Sequence, residues 1–326
     1  MSKSLFTADP NAADAFKWVD HFVATIPYAQ ASGMLVTHLE KGRASLMVPA
    51  RPTWSGDTER NRIHTGCLSV LADTTCGIAV GTALDKLEPF ATLDLRMDYL
   101  RSADASKNLI CDAHCYRLSR SVAFVRGELR QPGSDEIVAV ANATFMLATA
   151  NSRRKDMEPG AEAAPTSANK PIVAPPPIHV VSMEAIAEAA KSQKPAIPEG
   201  RSPYVDFLGV MQHPQVNAGP IFRMPFKHDL IGNPMLPALH GGVLAGFAET
   251  AMIMHVVATN PHLERTIPKA IDFSIDYLRS AKPIDTYAQG ITVRQGNRVS
   301  LVQVNVWQDD PTRPVASTRG HILMPQ

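Results

Sequence analysis

The chain has 326 residues, of which 45% are hydrophobic and 19% are charged, and its formal net charge is +1 at pH 7. This length fits about two domains, each with enough apolar residues to bury a core. The balanced charge argues against a general nucleic-acid binder. No apolar signal-peptide core and no uninterrupted apolar run of membrane-spanning length stands out, so we expect no membrane partner.

The first half of the chain predicts helix and strand segments in a definite order. A helical stretch over 12–25 and a strand over roughly 34–49 are followed by a long apolar helix that starts near His64. Apolar residues then alternate with Asp94, Arg96 and Asp98, which predicts a half-buried strand. Further strands are predicted over 108–118, 121–131 and 138–148.

A linker separates this half from a second one. Residues 151–180 are rich in Ala and Pro and end near Pro175-Pro176-Pro177, which favours an extended spacer. We therefore expect a first domain over 1–150 and a second over 181–326. The second domain is predicted to contain a helix over 183–192, a strand over 210–225, a long apolar helix from His240, and strands over 271–277, 286–295, 298–308 and 314–324.

The two halves repeat each other. Pro27-Tyr28 recurs as Pro203-Tyr204 at an offset of 176, and His64 matches His240 at the same offset. Downstream the offset becomes 178, where Asp98-Tyr99-Leu100-Arg101-Ser102-Ala103 recurs as Asp276-Tyr277-Leu278-Arg279-Ser280-Ala281. A repeat this long is a whole domain, because solenoid repeats run roughly 20–50 residues.

The four cysteines indicate the redox environment. Cys67, Cys76, Cys111 and Cys115 all lie in the first half, whereas a disulfide framework would be expected in both copies. Reduced thiols in a cytoplasmic protein are therefore favoured. Zinc ligation by Cys111 and Cys115 stays open, but no second ligand pair stands out, and we expect neither a metal nor a cofactor.

Each long helix begins with a repeated motif. His64-Thr65-Gly66 and His240-Gly241-Gly242 are each followed, nine positions after the His, by one carboxylate, Asp73 or Glu249. An acid inside an apolar helix is costly unless it is paired or used. The free N–H groups at a helix start suit a developing oxyanion, and a carboxylate suits a general base or a nucleophile. Sequence does not decide between those two roles.

The order of one strand, a long apolar helix and a run of antiparallel strands predicts an α+β domain whose sheet curls around the helix. This order and the His-Gly-Gly…Glu stretch resemble the hotdog fold, and specifically the thioesterases of the phenylacetate-degradation type that hydrolyse acyl-CoA. The resemblance implies two tandem hotdog domains, each a curved antiparallel sheet wrapped around a long central helix. It also implies an acyl-CoA substrate, a site between the paired domains, and further association of chains into a homo-oligomer.

The resemblance implies two unequal sites. One complete set combines Asp73 and Thr92 of the first half with Asn233, His240 and Gly241 of the second, although Asn233 lies one position further from the His than expected. The histidines are expected to position the site, not to transfer protons. The opposite set is expected to be weakened or lost, because Asp57 stands where the register puts Asn233 and Ala270 where it puts Thr92. That set uses Thr65, Gly66, His64 and Glu249, with Asn61 as a partial substitute for the amide.

Four arginines are candidates for contacting CoA phosphates, because arginine pairs well with phosphate. They follow the repeated strand or lie at a turn, at Arg101, Arg120, Arg279 and Arg298. Two other functions remain open at this point. A hotdog dehydratase or hydratase would need a catalytic His facing the acyl chain, and a non-catalytic acyl-CoA binding protein would need no base at all.

Overall fold

A computed structural model describes Val19 and residues 23–86, 88–147, 182–216, 219–233, 237–260, 263 and 267–325. The expected linker over 151–180 lies outside the described residues, as does most of the helical stretch expected over 12–25. The predicted domain boundaries within the linker therefore stay predictions.

The first half consists of a short helix, a hairpin, two very short paired strands, a long helix and four longer strands. Its helices are α1 (Pro27–Ser32) and α2 (Thr65–Ala83). Its strands are β1 (Leu35–Glu40), β2 (Arg43–Val48), β3 (Ser55–Asp57), β4 (Arg62–Ile63), β5 (Phe90–Tyr99), β6 (Leu109–Leu118), β7 (Val122–Arg130) and β8 (Ile137–Leu147).

The second half begins with a helix and then repeats this order. Its helices are α3 (Met183–Ala189), α4 (Pro203–Leu208) and α5 (Gly241–Thr259). Its strands are β9 (Lys194–Pro195), β10 (Met211–Val216), β11 (Gly219–Met224), β12 (Ile231–Asn233), β13 (Ala238–Leu239), β14 (Lys269–Tyr277), β15 (Thr286–Gln295), β16 (Val299–Trp307) and β17 (Ala316–Leu323).

The two sheets join into one. Thirteen strands pair in the order β1-β2-β6-β7-β8-β5-β14-β17-β16-β15-β11-β10-β9. The junction is the antiparallel pair β5–β14, in which Met97 lies opposite Phe273 and Leu95 opposite Ile275. These four side chains are all fully buried. The expectation of two hotdog domains in an α+β fold is confirmed, and the domains are joined edge to edge.

The central helices α2 and α5 pack against each other within this sheet. The first turn of each lies against the second turn of the other, so the two helices run antiparallel. A Cβ added at Gly242 would lie 2.4 Å from Val70 Cα, and one added at Gly66 would lie 2.8 Å from Gly246 Cα. The crossing therefore needs glycine at these positions, and it brings the start of each helix beside the acid of the other.

Neither α2 nor α5 has an amphipathic pattern, because each is covered by the sheet on one side and by its partner helix on the other. Both helices are 19 residues long and apolar enough, by length and composition, to cross a membrane, although Asp73 and Glu249 interrupt their apolar runs. Most of their residues are buried inside the protein, which is what a core helix requires.

The sequence prediction missed several turns. The single strands expected over 34–49 and 210–225 are hairpins, β1–β2 and β10–β11. Gly42 adopts a φ of +72° at the first turn, a conformation that glycine reaches without strain. The helix expected over 183–192 is α-helical only to Ala189 and continues as a 3-10 turn over Ala190–Ser192.

Candidate active site at the helix crossing

Each long helix is capped by its own motif histidine. His240 Nδ1 accepts the Gly242 N–H at 3.0 Å, and His64 Nδ1 accepts the Gly66 N–H at 2.9 Å. The Nε2 atom of His240 lies 3.0 Å from Thr74 Oγ1 of the other helix. Burial lowers the pKa of His240, and it lowers the pKa of His64 to about 4. Both rings are therefore neutral at physiological pH and act as caps.

The Asp73 carboxylate lies at the start of α5. Its Oδ2 atom accepts the Gly242 N–H at 2.9 Å, and its Oδ1 atom accepts the Thr92 hydroxyl at 3.0 Å. Asp73 is 8% exposed. Two donors of different elements therefore hold both oxygens of one acid at a helix N-terminus, where the helix dipole favours negative charge. The structure brings together Asp73, Thr92 and His240 as the sequence suggested.

Gly241 lies directly against this acid. A Cβ at this position would approach Asp73 Oδ2 to 2.9 Å and the Tyr277 ring to 3.4 Å. Tyr277 donates its hydroxyl to the Gly241 carbonyl at 2.9 Å. The Gly241 N–H belongs to the first helical residue and so has no acceptor within its own helix. Glycine here allows an N–H donor and a carboxylate to share one small space.

The pseudo-symmetric site holds Glu249 beside the start of α2. The Tyr99 hydroxyl donates to Glu249 Oε2 at 2.9 Å and lies 3.2 Å from Ser69 Oγ. Glu249 is fully buried. Burial raises the pKa of Glu249 to about 7, although the nearby hydroxyls of Thr65 and Tyr99 oppose that rise. Near neutral pH this acid is therefore about half protonated.

Three polar residues expected at these sites lie elsewhere or have other partners. Asn233 is exposed at the end of β12, so its expected role at Asp73 stays a prediction. Asp57 is buried, with Arg60 at 3.1 Å and Arg201 at 3.8 Å, so an ion pair stands where the register would put the amide. The expectation for Asn61 is wrong, because its side chain is exposed and donates to Asp104 Oδ1 at 2.8 Å.

A cavity of about 310 Å³ opens beside the start of α2. Its walls are largely apolar, and its polar lining includes His64, Thr65, Tyr99 and Thr250. Its charged lining consists of three cationic side chains, Arg62, Arg101 and Lys269, and one carboxylate, Asp57. The cavity therefore lies on the Glu249 side of the helix crossing, where the sequence predicted the weaker site.

The arginine candidates separate into two groups. Arg101 lines the cavity and forms a 3.0 Å ion pair with Glu136. Arg279 is exposed and donates to the Pro314 carbonyl. Arg120 and Arg298 are exposed near the turns that follow β6 and β15. None of these last three lines the cavity.

Sequence reasoning missed Tyr99, Ser69, Arg62 and Lys269. The repeat does carry a signal for one of them, because Ser69 corresponds to Ala245 in the second copy. A hydroxyl one helical turn before the acid in only one copy distinguishes the two sites. Within the described residues no group of three or more His, Cys, Asp or Glu could hold a metal ion, and all four cysteines are free thiols.

The Asp73 arrangement has the parts that acyl transfer requires. A helix N-terminus offers N–H groups to a carbonyl oxygen that gains negative charge, and an oriented carboxylate can remove a proton from water. His240 is unsuited to proton transfer on a substrate, since one ring nitrogen accepts the Gly242 N–H and the other faces Thr74.

Comparison with known proteins gives the same fold in each half. The family model described as thioesterase superfamily matches residues 61–138 and 236–315. The medium/long-chain acyl-CoA thioesterase YigI of Escherichia coli K12 is 29% identical over 150 residues, which are 42% of this chain and 96% of YigI.

Two solved structures extend the comparison. A hot dog fold protein of unknown function from Alicyclobacillus acidocaldarius is 13% identical, with a TM-score of 0.57 over 93% of this chain and 99% of its own. A variant of the phenylacetic acid degradation protein PaaI from Thermus thermophilus is 30% identical, with a TM-score of 0.33, over 37% of this chain and 97% of its own. Because the thioesterase superfamily model matches both halves, the chain belongs to this superfamily, and each of its halves contains one thioesterase domain.

Proposed function

We propose that this chain hydrolyses acyl-CoA thioesters to a free acid and CoA at the interface between its two halves, in the site around Asp73. The observation that carries this proposal is the junction of Asp73, Thr92 and the first turn of α5. One half supplies the acid and its hydroxyl donor, and the other supplies the N–H groups. The relation to YigI supports a medium- or long-chain acyl-CoA as the substrate.

The chain's own groups account for each step. The Gly241 N–H, with the helix dipole behind it, binds the thioester carbonyl oxygen and stabilises the negative charge that forms on it. Asp73 removes a proton from a water molecule, whose oxygen attacks the carbonyl carbon. The C–S bond then breaks, and the proton passes to the departing CoA sulfur. Thr92 and the Gly242 N–H hold the carboxylate in one orientation during this sequence.

Asp73 acts here as a general base and not as a nucleophile. Both of its oxygens already accept hydrogen bonds from the protein, which fixes the carboxylate and lowers its freedom to attack a carbonyl carbon. A single turnover in heavy-oxygen water tests this role. A general base directs the heavy oxygen into the free acid alone, whereas a nucleophile would leave part of it in the Asp73 side chain.

The experiment on function itself uses purified protein, a panel of acyl-CoAs of increasing chain length, and a thiol reagent that reports free CoA. Hydrolysis releases CoA, a dehydratase changes the acyl chain without release, and a binding protein does neither. Both ring nitrogens of His240 already contact protein groups, which argues against a dehydratase. Asp73→Asn is the matched negative control, because it keeps the shape of the side chain and removes its basicity. We also propose that the protein is soluble and cytoplasmic and that its chains associate into a homo-oligomer.

A further inference from the structure

The cavity beside α2 has a composition that the Asp73 site does not share. Its apolar wall includes Leu68, Ile253, Met254 and Ile271, and its rim carries Arg62, Arg101 and Lys269. An apolar pocket with a few polar groups at one end is the usual form of a small-molecule site. A positively charged rim adds a preference for a ligand with an acyl chain at one end and anionic groups at the other.

Three hydrogen-bonded side chains lie beside this cavity. Ser69, Tyr99 and Glu249 lie in sequence, with Ser69 Oγ 3.2 Å from the Tyr99 hydroxyl and that hydroxyl 2.9 Å from Glu249 Oε2. Tyr99 lines the cavity, whereas Glu249 lies behind it and is fully buried. Glu249 Oε1 has no donor at hydrogen-bonding geometry among the described residues. The Tyr99 hydroxyl is therefore the middle member of a fixed polar chain, and the Tyr99 side chain forms part of the cavity wall.

The repeat has not preserved this arrangement in the other half. Tyr277, the counterpart of Tyr99, donates to the Gly241 carbonyl, and Ala245 replaces Ser69. Conversely, Ala270 stands in the cavity wall where the Asp73 site has the hydroxyl of Thr92. The smaller side chain leaves room, and the tyrosine takes over as the donor to the acid. The Glu249 site therefore uses different side chains from those of the Asp73 site.

We propose that this cavity is a second acyl-CoA site, one that binds the acyl thioester without hydrolysing it, with the Tyr99 hydroxyl as donor to the acyl carbonyl. The substrate class rests on the proposed function. Binding without hydrolysis follows from position, because a general base must reach the water that it activates. Glu249 is fully buried, whereas Asp73 is 8% exposed, and Tyr99 and Thr65 line the cavity while Glu249 does not.

The protonation state of Glu249 sets the direction of the hydrogen bond between Glu249 and Tyr99. An ionised Glu249 accepts the phenol hydrogen of Tyr99. A protonated Glu249 donates to the Tyr99 oxygen instead, and the phenol hydrogen is then shared between Ser69 Oγ and the ligand carbonyl. The other titratable groups around it are Cys67 and Tyr204, and burial raises the pKa of each well above its ordinary value. His64 is neutral above pH 4. Affinity at this site should therefore fall as the pH rises through about 7.

The test is calorimetric titration of the full chain with two CoA analogues that cannot be hydrolysed. One is a ketone, with a methylene between sulfur and carbonyl, and the other is a thioether of equal length without a carbonyl. We expect two equivalents of the ketone per chain at pH 6. Tyr99→Phe should weaken one equivalent by about tenfold, the value of one hydrogen bond, and should leave thioether binding unchanged. Tyr277→Phe is the matched control and should keep the pH-dependent equivalent.

Ala270→Phe provides a second variant, because it fills the cavity and should remove one equivalent of both analogues. A single equivalent in the unmodified protein would overturn the proposal. So would equal weakening of ketone and thioether by Tyr99→Phe, since that would indicate packing alone. CoA release that survives Asp73→Asn and disappears with Glu249→Gln would also overturn it. Two equivalents without any acyl-CoA hydrolysis would instead overturn the proposed function and leave the second binding site in place.

Discussion

Replacing Glu249 by glutamine should make the protein more stable at alkaline pH. The side chain is fully buried, and its pKa rises from the ordinary value of 4.5 to about 7 through burial. Below pH 4.5 the acid is protonated in both the folded and the unfolded chain. Between pH 4.5 and 7 the unfolded chain ionises first, so the free energy of unfolding falls as the pH rises. Above pH 7 the acid is ionised in both states, and the folded chain bears the full free-energy cost of a buried charge.

The size of this penalty follows from the pKa. A rise from 4.5 to about 7 corresponds to about 3 kcal/mol. Glutamine keeps the shape and the acceptor for Tyr99 and never ionises. The stability of Glu249→Gln relative to the unmodified protein should therefore increase by about 3 kcal/mol between pH 4.5 and pH 8. Contributions from other titrating groups cancel in this difference, because both proteins carry them.

Urea denaturation followed by circular dichroism at pH 4.5, 6, 7 and 8 measures this difference. Glu199→Gln is a suitable control, because Glu199 is exposed and its replacement should give no comparable trend with pH. A stability difference between Glu249→Gln and the unmodified protein that stays constant from pH 4.5 to pH 8 would refute the reasoning. It would mean that Glu249 is ionised in the folded protein throughout and that water or another charge compensates it.

Asp73→Asn should lower kcat for acyl-CoA hydrolysis at least about 100-fold, whereas Glu249→Gln should have the smaller effect; equal losses would show that the two sites are equivalent. Gly241→Ala should reduce kcat, because its methyl group would approach Asp73 Oδ2 to 2.9 Å. Gly241→Pro also removes the N–H donor and should lower kcat by a further factor of about 100. If the alanine and proline variants are both folded by circular dichroism and equally active, the oxyanion donor lies elsewhere. Gly242→Ala should destabilise the fold by several kcal/mol or prevent folding, since the added Cβ would lie 2.4 Å from Val70 Cα. The control is Gly77→Ala, where the atom nearest to the added Cβ is 3.7 Å away. Thermal melting should show that this control is neutral or slightly stabilising.

The repeat made much of this architecture predictable. The long helices, the half-buried strand that contains Leu95 and Met97, and the pairing of one half's acid with the other half's helix start all follow from periodicity, register and the family resemblance. The hairpin turn at Gly42 was missed although Glu40-Lys41-Gly42-Arg43 interrupts the apolar residues of the predicted strand. A glycine among charged residues within a strand pattern is a turn signal that should have divided the segment.

Other features depend on contacts that no local pattern encodes. The hydrogen bond between Tyr99 and Glu249 joins residues 150 positions apart, and it forms only because β5 and α5 meet across the junction of the two halves. The cavity arises in the same way, since Ala270, Leu68 and Ile253 come from three different elements. The register of the repeat showed that Ala270 stands where the first half has the hydroxyl of Thr92. Only packing reveals that this loss creates space and that a tyrosine takes over the contact with the acid.

The crossing of α2 and α5 also bears on how the two sites can change. In a symmetric dimer of identical chains, every substitution appears in both sites at once. Here Asp73 and Thr92 belong to one site alone, and Glu249, Tyr99 and Ser69 belong to the other. Covalent linkage of the halves has removed the symmetry constraint, so a substitution that would damage hydrolysis in one site is free to create a different ligand site in the other.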